Sequence, residues 1–178
     1  LATRAQIDPA MVARVLREVR SRYASAPEQA SALLDHMISY LRLAMNRVRE
    51  KKPTLSSELT LCRSYLALRA AEMDAVIALQ MDRTLPSPND KQEVLAPLFL
   101  IIQKMLAEAL LVCAPVILLR LSLQAKGMQV QLDTGGVMLK SEGMERLSAN
   151  LKEIVFGGTV ILLHTCETGA YRYVAQVA

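Results

Sequence analysis

Residues 95–119, LAPLFLIIQKMLAEALLVCAPVILL, admit two architectures. The run is long enough for a bilayer span, which takes about 20 largely apolar residues. Gln103, Lys104 and Glu108 interrupt it, however, and Pro97 and Pro115 bracket it. A charge held in mid-bilayer costs roughly 3 kcal/mol or more. The run therefore reads as a helix over 91–113, apolar nearly all round and so buried. The alternating strand VILLRLSLQAK follows at 116–126. A buried helix feeding a strand places an α/β layer at the centre of the chain.

Working outward, GMQVQLD (127–133) alternates again after a glycine turn and suggests a hairpin. A helix is expected over 142–156, then a terminal hairpin that turns at Glu167-Thr168-Gly169. AVIALQMD (75–82) reads as a further strand and RTLPSPNDK as a loop. Towards the N-terminus the period changes to helical. Ile7, Met11, Val12, Val15, Leu16 and Val19 share one face of a helix over 4–24, with Asp8 as cap and Pro9 in the first turn. Pro27 and Glu28 open a second helix with Leu34, Met37, Ile38, Leu41, Met45 and Val48 on one face. The short link ASAPE makes these two antiparallel neighbours. KKP (51–53) ends the second helix, and TLSSEL starts a third that is capped by Thr54 or Ser56 and runs to about Met73. The expected fold is α+β: an N-terminal helical hairpin over 1–53, then a two-layer α/β sandwich over 54–178 with a mixed, mostly antiparallel sheet.

Composition narrows the function. Hydrophobic residues are 52% of the 178, enough for a buried core, but aromatics are only 4% and Trp is absent. That counts against single-stranded nucleic-acid binding, which stacks bases on rings; no nucleic-acid partner is expected. Residues 1–53 hold ten Lys/Arg against five Asp/Glu, whereas the remainder is nearly neutral, so the basic excess sits on the helical hairpin. A solvated helix face explains this most simply, and an acidic or phosphorylated partner is the sharper reading. Cys62, Cys113 and Cys166 fit no zinc spacing and are odd in number, which fits reduced core residues and a cytoplasmic setting. The chain opens at Leu1 and reads as a segment of a longer protein, so an upstream membrane or sensor segment stays open.

The ordered motifs resemble the sensor histidine kinases of the autolysin-sensor type, the histidine kinase internal region family, over nearly the whole chain. Gln6-Ile7-Asp8-Pro9-Ala10-Met11 stands where that family has Gln-Ile-Asn-Pro-His-Phe, so the phospho-acceptor position is Ala10; Arg14 replaces the following Asn. Thr54-Leu55, Glu58-Leu59 and Tyr65-Leu66 match its T-L-x-x-E-L…Y-L signature. Leu106-Ala107-Glu108-Ala109-Leu110 matches Leu-Val-Glu-Asn-Ala, with Ala109 in place of the magnesium-holding Asn. Asp133-Thr134-Gly135-Gly136-Val137 matches the adenine-contacting Asp-x-Gly-x-Gly loop, with Val137 in place of the second glycine; Gly143 alone represents the phosphate-cradling glycines.

The resemblance implies a dimerising hairpin that forms a four-helix bundle, and an ATPase-like domain of the gyrase–Hsp90–kinase–MutL type. It implies a vestigial nucleotide site at Asp133, Gly135 and Glu108. Phosphoryl transfer needs a nucleophile, a metal and donors that hold the triphosphate; Ala10 and Ala109 remove the first two. The expected protein is thus a two-component pseudokinase with no catalytic residue, no metal and no required cofactor, ATP being the one nucleotide cofactor it could still bind. It would act through a homodimer and through a response regulator or partner kinase, with Arg14, Arg17 and Arg20 on the outer part of the first helix. The catalytic alternative is a phosphotransferase or weakly active histidine kinase using His36, whose simpler reading is a surface or interface histidine; His164 reads as a sheet-face residue. The plainer alternative for Glu108 is a buried acid paired with Lys104, one turn back on the same helix, and for Asp133 a turn residue.

Overall fold

In the computed structural model the described residues are 7–49, 54–81, 97–112, 116–124, 127–155, 160–167 and 170–177. Five helices and five strands follow in order: α1 (Pro9–Arg22), α2 (Pro27–Arg49), α3 (Leu55–Met73), β1 (Val76–Met81), α4 (Leu98–Leu111), β2 (Val116–Gln124), β3 (Gly127–Asp133), α5 (Ser141–Ile154), β4 (Val160–Glu167) and β5 (Ala170–Val177). The expected loop at 83–91 lies outside the described residues, as do 1–6 and 91–96 of the expected helices.

Local chemistry sets the helix ends. Asp8 Oδ1 accepts from the Ala10 amide at 2.9 Å, with Pro9 at the first turn of α1. Thr54 and Ser57 exchange side-chain and backbone hydrogen bonds in a reciprocal cap at the start of α3. Asp74 closes α3 in the left-handed conformation, at φ 49°.

The sheet order is β1-β2-β3-β5-β4. β1 and β2 run parallel, with α4 between them in sequence, and every other pairing is antiparallel. The sheet is mixed and mostly antiparallel, as its alternating strands imply. Ile117, Leu119 and Leu121 of β2, Val130 and Leu132 of β3, and Tyr173 and Ala175 of β5 share one face and are buried. α4 touches β2 and β3 on this side and α5 packs against α4. Among the described residues, no helix is long and apolar enough to cross a membrane. The 95–119 run divides into α4 and the start of β2, as its interrupting charges require.

α3 joins the two parts of the chain, touching α2 on one side and α4 and β1 on the other. Most of its circumference is buried, from Leu55 and Leu59 to Cys62, Leu66 and Leu68, with a narrow stripe through Thr60 and Arg63 left to solvent. Two of its carboxylates do the joining. Glu58, 1% exposed, accepts from Arg47 Nε of α2 at 2.5 Å through one oxygen and from the Phe99 amide at the start of α4 at 2.9 Å through the other. Glu72, 6% exposed, binds Arg14 of α1 at 2.7 Å and Arg69 of its own helix. Arg22 of α1 donates to the Ala71 and Glu72 carbonyls at 2.9 and 3.0 Å, capping the C-terminus of α3. Above Glu58 lies an aromatic cluster of Tyr40, Tyr65 and Phe99, with ring centroids 5.4 to 6.2 Å apart.

Removing the Glu58 carboxylate orphans a largely buried guanidinium and a helix N-terminal amide at once. Glu58→Ala is expected to lower unfolding free energy by about 3–5 kcal/mol, read as a fall in urea midpoint. Tyr40 gives a second expectation. Its hydroxyl is buried with no partner, and burial raises its pKa, as it does for Tyr65. A phenol raised in the folded state stabilises fully below the unfolded value near 10, and that contribution is lost as pH climbs past it. Tyr40→Phe should therefore gain about 1 kcal/mol at neutral pH and show a shallower loss of stability above about pH 10 in alkaline melts.

Candidate functional site

Ala10, which the resemblance puts in place of an acceptor histidine, is exposed in the first turn of α1. Its side chain is a methyl group, which neither accepts a phosphoryl group nor moves a proton. Arg14, one turn on, is not the free outer cation expected from the sequence. It is half-exposed but committed to Glu72, inside the contact between α1 and α3. Arg17 and Arg20 are exposed. His36 is exposed on α2, and His164 sits in β4 opposite Tyr173 in register.

Glu108 and Ala109 lie towards the C-terminal end of α4, 5% and 0% exposed. Glu108 does not pair with Lys104. It forms a two-pronged ion pair with Arg146 of α5, Nε to Oε1 and Nη2 to Oε2, both at 2.7 Å. Local helical spacing favoured Lys104, but the fork of a guanidinium from the facing helix matches both carboxylate oxygens, and an ammonium cannot. The same pair holds Arg146 above its ordinary pKa, chiefly through the hydrogen bonds to Glu108. Gly143 admits this closeness: a Cβ there would stand 3.1 Å from Glu108 Oε2.

Asp133 ends β3, and its Oδ1 accepts from the Gly135 amide at 3.0 Å, closing a turn on itself. Gly135 and Gly136 take φ 59° and 91°, and a Cβ on Gly135 would meet the Val116 carbonyl at 3.3 Å, so glycine is required there. Thr134 is fully buried and donates to the Val137 carbonyl, and the Leu139 amide donates to the Tyr173 hydroxyl at 2.7 Å. α5 begins at Ser141, so residues 134–140 alone connect the Asp133 turn to the next helix, with Thr134 and Leu139 tied to β5. Glu108 is thus brought to Arg146 and Asp133 to its own turn. Sequence reading missed Arg47, Glu72 and Arg146 as partners. The Arg69–Glu72 spacing of three was legible; the other pairs join residues 11 to 58 apart and only folding brings them together.

Known proteins share parts of this arrangement. Residues 1–76 match the family model described as histidine kinase. The catalytic domain of the histidine kinase ThkA matches with a TM-score of 0.50 at 12% identity, over 71% of this chain and 93% of that one; at that identity the likeness is one of fold. Histidine kinase ThkA in complex with the response regulator TrrA matches with a TM-score of 0.49 at 13% identity, over 95% of this chain and 61% of that one. The cytoplasmic segment of histidine kinase QseC matches with a TM-score of 0.45 at 15% identity, over 84% and 92%. No curated protein sequence matches. The family model thus covers the helical N-terminal part, residues 1–76, and the likeness to the ThkA catalytic domain is one of α+β fold.

The Glu108–Arg146 pair offers a direct check. Arg146→Ala leaves a largely buried carboxylate without its cation and should lower the melting temperature. Adding Glu108→Gln should recover much of that loss, a non-additivity read from a double-mutant cycle.

Proposed function

We propose that this core is a two-component pseudokinase: it signals by assembling and binding, and it does not phosphorylate itself. The observation that carries the reading is the exposed methyl group of Ala10 at the acceptor position. The nucleotide site supports it. Glu108 has both oxygens taken by Arg146, Ala109 offers no donor atom, Asp133 has one oxygen in its own turn, and the connection that would cradle phosphates is residues 134–140. These residues do not fit a magnesium nucleotide, whose phosphate oxygens need a metal ligand and a set of free donors. The division at residues 53/54 then separates an assembly hairpin from a domain retained as a binding surface.

The hairpin carries the assembly surface. Leu34, Ile38, Met45 and Val48 are 36–52% exposed on α2, and Leu41 is part-buried between them. Their alternate spacing of four and three is the seam of a helix pair. A second seam on α2, Ala30, Leu33, Met37, Tyr40 and Ala44, is already buried within the chain. Leu16 at 46% extends the open stripe onto α1. A homodimer built as a four-helix bundle covers this surface, and the exposed Arg17 and Arg20 are then left for an acidic partner, a response regulator or an active kinase. The cytoplasm, beneath an upstream sensor segment, is the setting this reading requires.

The competing reading is phosphotransfer through His36, favoured only by that residue's exposure. Calorimetric titration with ATP and ADP, with and without magnesium, is expected to show no saturation at millimolar nucleotide. Incubation with ATP or a phosphorylated regulator is expected to leave no acid-labile phosphate. Label that disappears in His36→Ala would replace the pseudokinase with a phosphotransferase. Light scattering should give twice the chain mass for the unmodified protein and the single mass for Ile38→Glu/Met45→Glu.

A further inference from the structure

The start of α1, the C-terminal half of α3, one face of α4 and the end of α5 enclose an open cleft of about 1390 Å3. Glu108, Asp133 and Gly135 are not in its lining, so it is distinct from the site carried over from the kinases. Its walls are largely apolar, with Met11, Leu100, Leu111 and Ile154 among them. Charge there is balanced. Arg14, Arg69 and Lys104 stand with Asp8 and Glu153, and the buried Glu72 engages both arginines. Three cations thus meet three acids, and the cleft gives an ion of either sign no net attraction. One polar group in the wall is unpaired. Tyr65 of α3 is 5% exposed, its ring packed on Tyr40 and Phe99. Its hydroxyl has no hydrogen-bond partner among the described residues. The Tyr40 hydroxyl is sealed in the core, whereas that of Tyr65 keeps some accessible surface. The charges that act on it belong to Arg69, Glu72, Arg14 and Asp8, and three of these four residues line the cleft, so that surface opens on the cleft. Burial holds the phenol above its ordinary pKa, so at neutral pH it is an intact O–H donor.

We propose that this cleft binds an uncharged carbonyl compound with an extended apolar body, its oxygen accepting from the Tyr65 hydroxyl. The apolar body lies along the Met11, Leu100 and Leu111 walls. A nearly buried hydroxyl without a partner is costly, and a carbonyl oxygen satisfies it. A charged head would lose its hydration on entry and recover little from walls whose charges already balance. Apolar walls with one well-placed hydrogen-bonding group are the usual composition of a small-molecule site. The ligand would bridge α1 and α3 on one side to α4 and α5 on the other, so its binding reports on both parts of the fold. The proposal does not depend on whether nucleotide binds.

The test titrates the full chain calorimetrically with 2-nonanone below its solubility limit, with nonanoate as the charged control of equal length. Saturable binding of one ketone per chain is expected, with nonanoate about tenfold weaker because its charge is desolvated without return. Tyr65→Phe should weaken the ketone about fivefold, the loss of one neutral hydrogen bond. The melting temperature of the ligand-free variant should match that of the unmodified protein, since the hydroxyl bonds to nothing in the free chain. Ala107→Trp places an indole in the cleft from an exposed position on α4 and should abolish ketone binding, with the circular dichroism spectrum retained. Absence of saturation, nonanoate binding as tightly as the ketone, or undiminished ketone affinity in Tyr65→Phe or Ala107→Trp would each overturn the assignment.

Discussion

A carboxylate buried to 1% exposure survives in a protein interior only if both its oxygens are satisfied, and Glu58 meets that condition with groups from two other helices. One oxygen takes Arg47 from the hairpin and the other takes the first amide of α4. The geometry of that single group fixes where α2 ends, where α4 starts and how α3 lies between them. The aromatic cluster of Tyr40, Tyr65 and Phe99 then packs over the junction, each ring from a different helix. At the far end of α3, Glu72 repeats the device with Arg14 and Arg69, and Arg22 closes the helix over its last carbonyls. Hairpin and α/β layer are therefore joined at both ends of one helix by charge pairs withdrawn from water.

The elements themselves were legible because their signals are local. Asp8-Pro9, Thr54 with Ser57, and the alternation in 116–133 each depend on neighbours within a few residues, and the structure places α1, α3, β2 and β3 accordingly. The mixed sheet followed from a buried helix lying between two strands. The site was less legible for a physical reason. The partner of Glu108 is chosen by which cation presents two parallel N–H groups across a helix interface, and Arg146 is 38 residues away. Helical spacing could point only to Lys104. Arg14 misled in the same way: a cation on an exposed-looking face turned inwards because Glu72 waits there, 58 residues on.

The resemblance to the kinases acquires a physical meaning from these pairs. The matching Glu of T-L-x-x-E-L is the Glu58 junction, so that motif in this chain is architecture and not chemistry. The matching Glu of the α4 motif has become half of a forked ion pair with α5, a contact that holds the two helices at the distance Gly143 allows. Asp133 has become the anchor of its own glycine turn. Residues that belong to nucleotide chemistry in the family here hold the fold together, which is why their presence alone says little about catalysis.

The clasping of α3 at both of its ends has a consequence for how the molecule opens. A helix with one wet face can fray while its neighbours stay folded, because few contacts are lost. On α3 the wet face is only a narrow stripe through Thr60 and Arg63, and the ion pairs at both ends close the routes by which the helix could peel away. Its amide protons should exchange with solvent only when the hairpin and the sheet layer come apart together. The chain then has one cooperative unit centred on α3, and a disturbance introduced at the hairpin is felt at the sheet as a change in global stability before it appears as local motion.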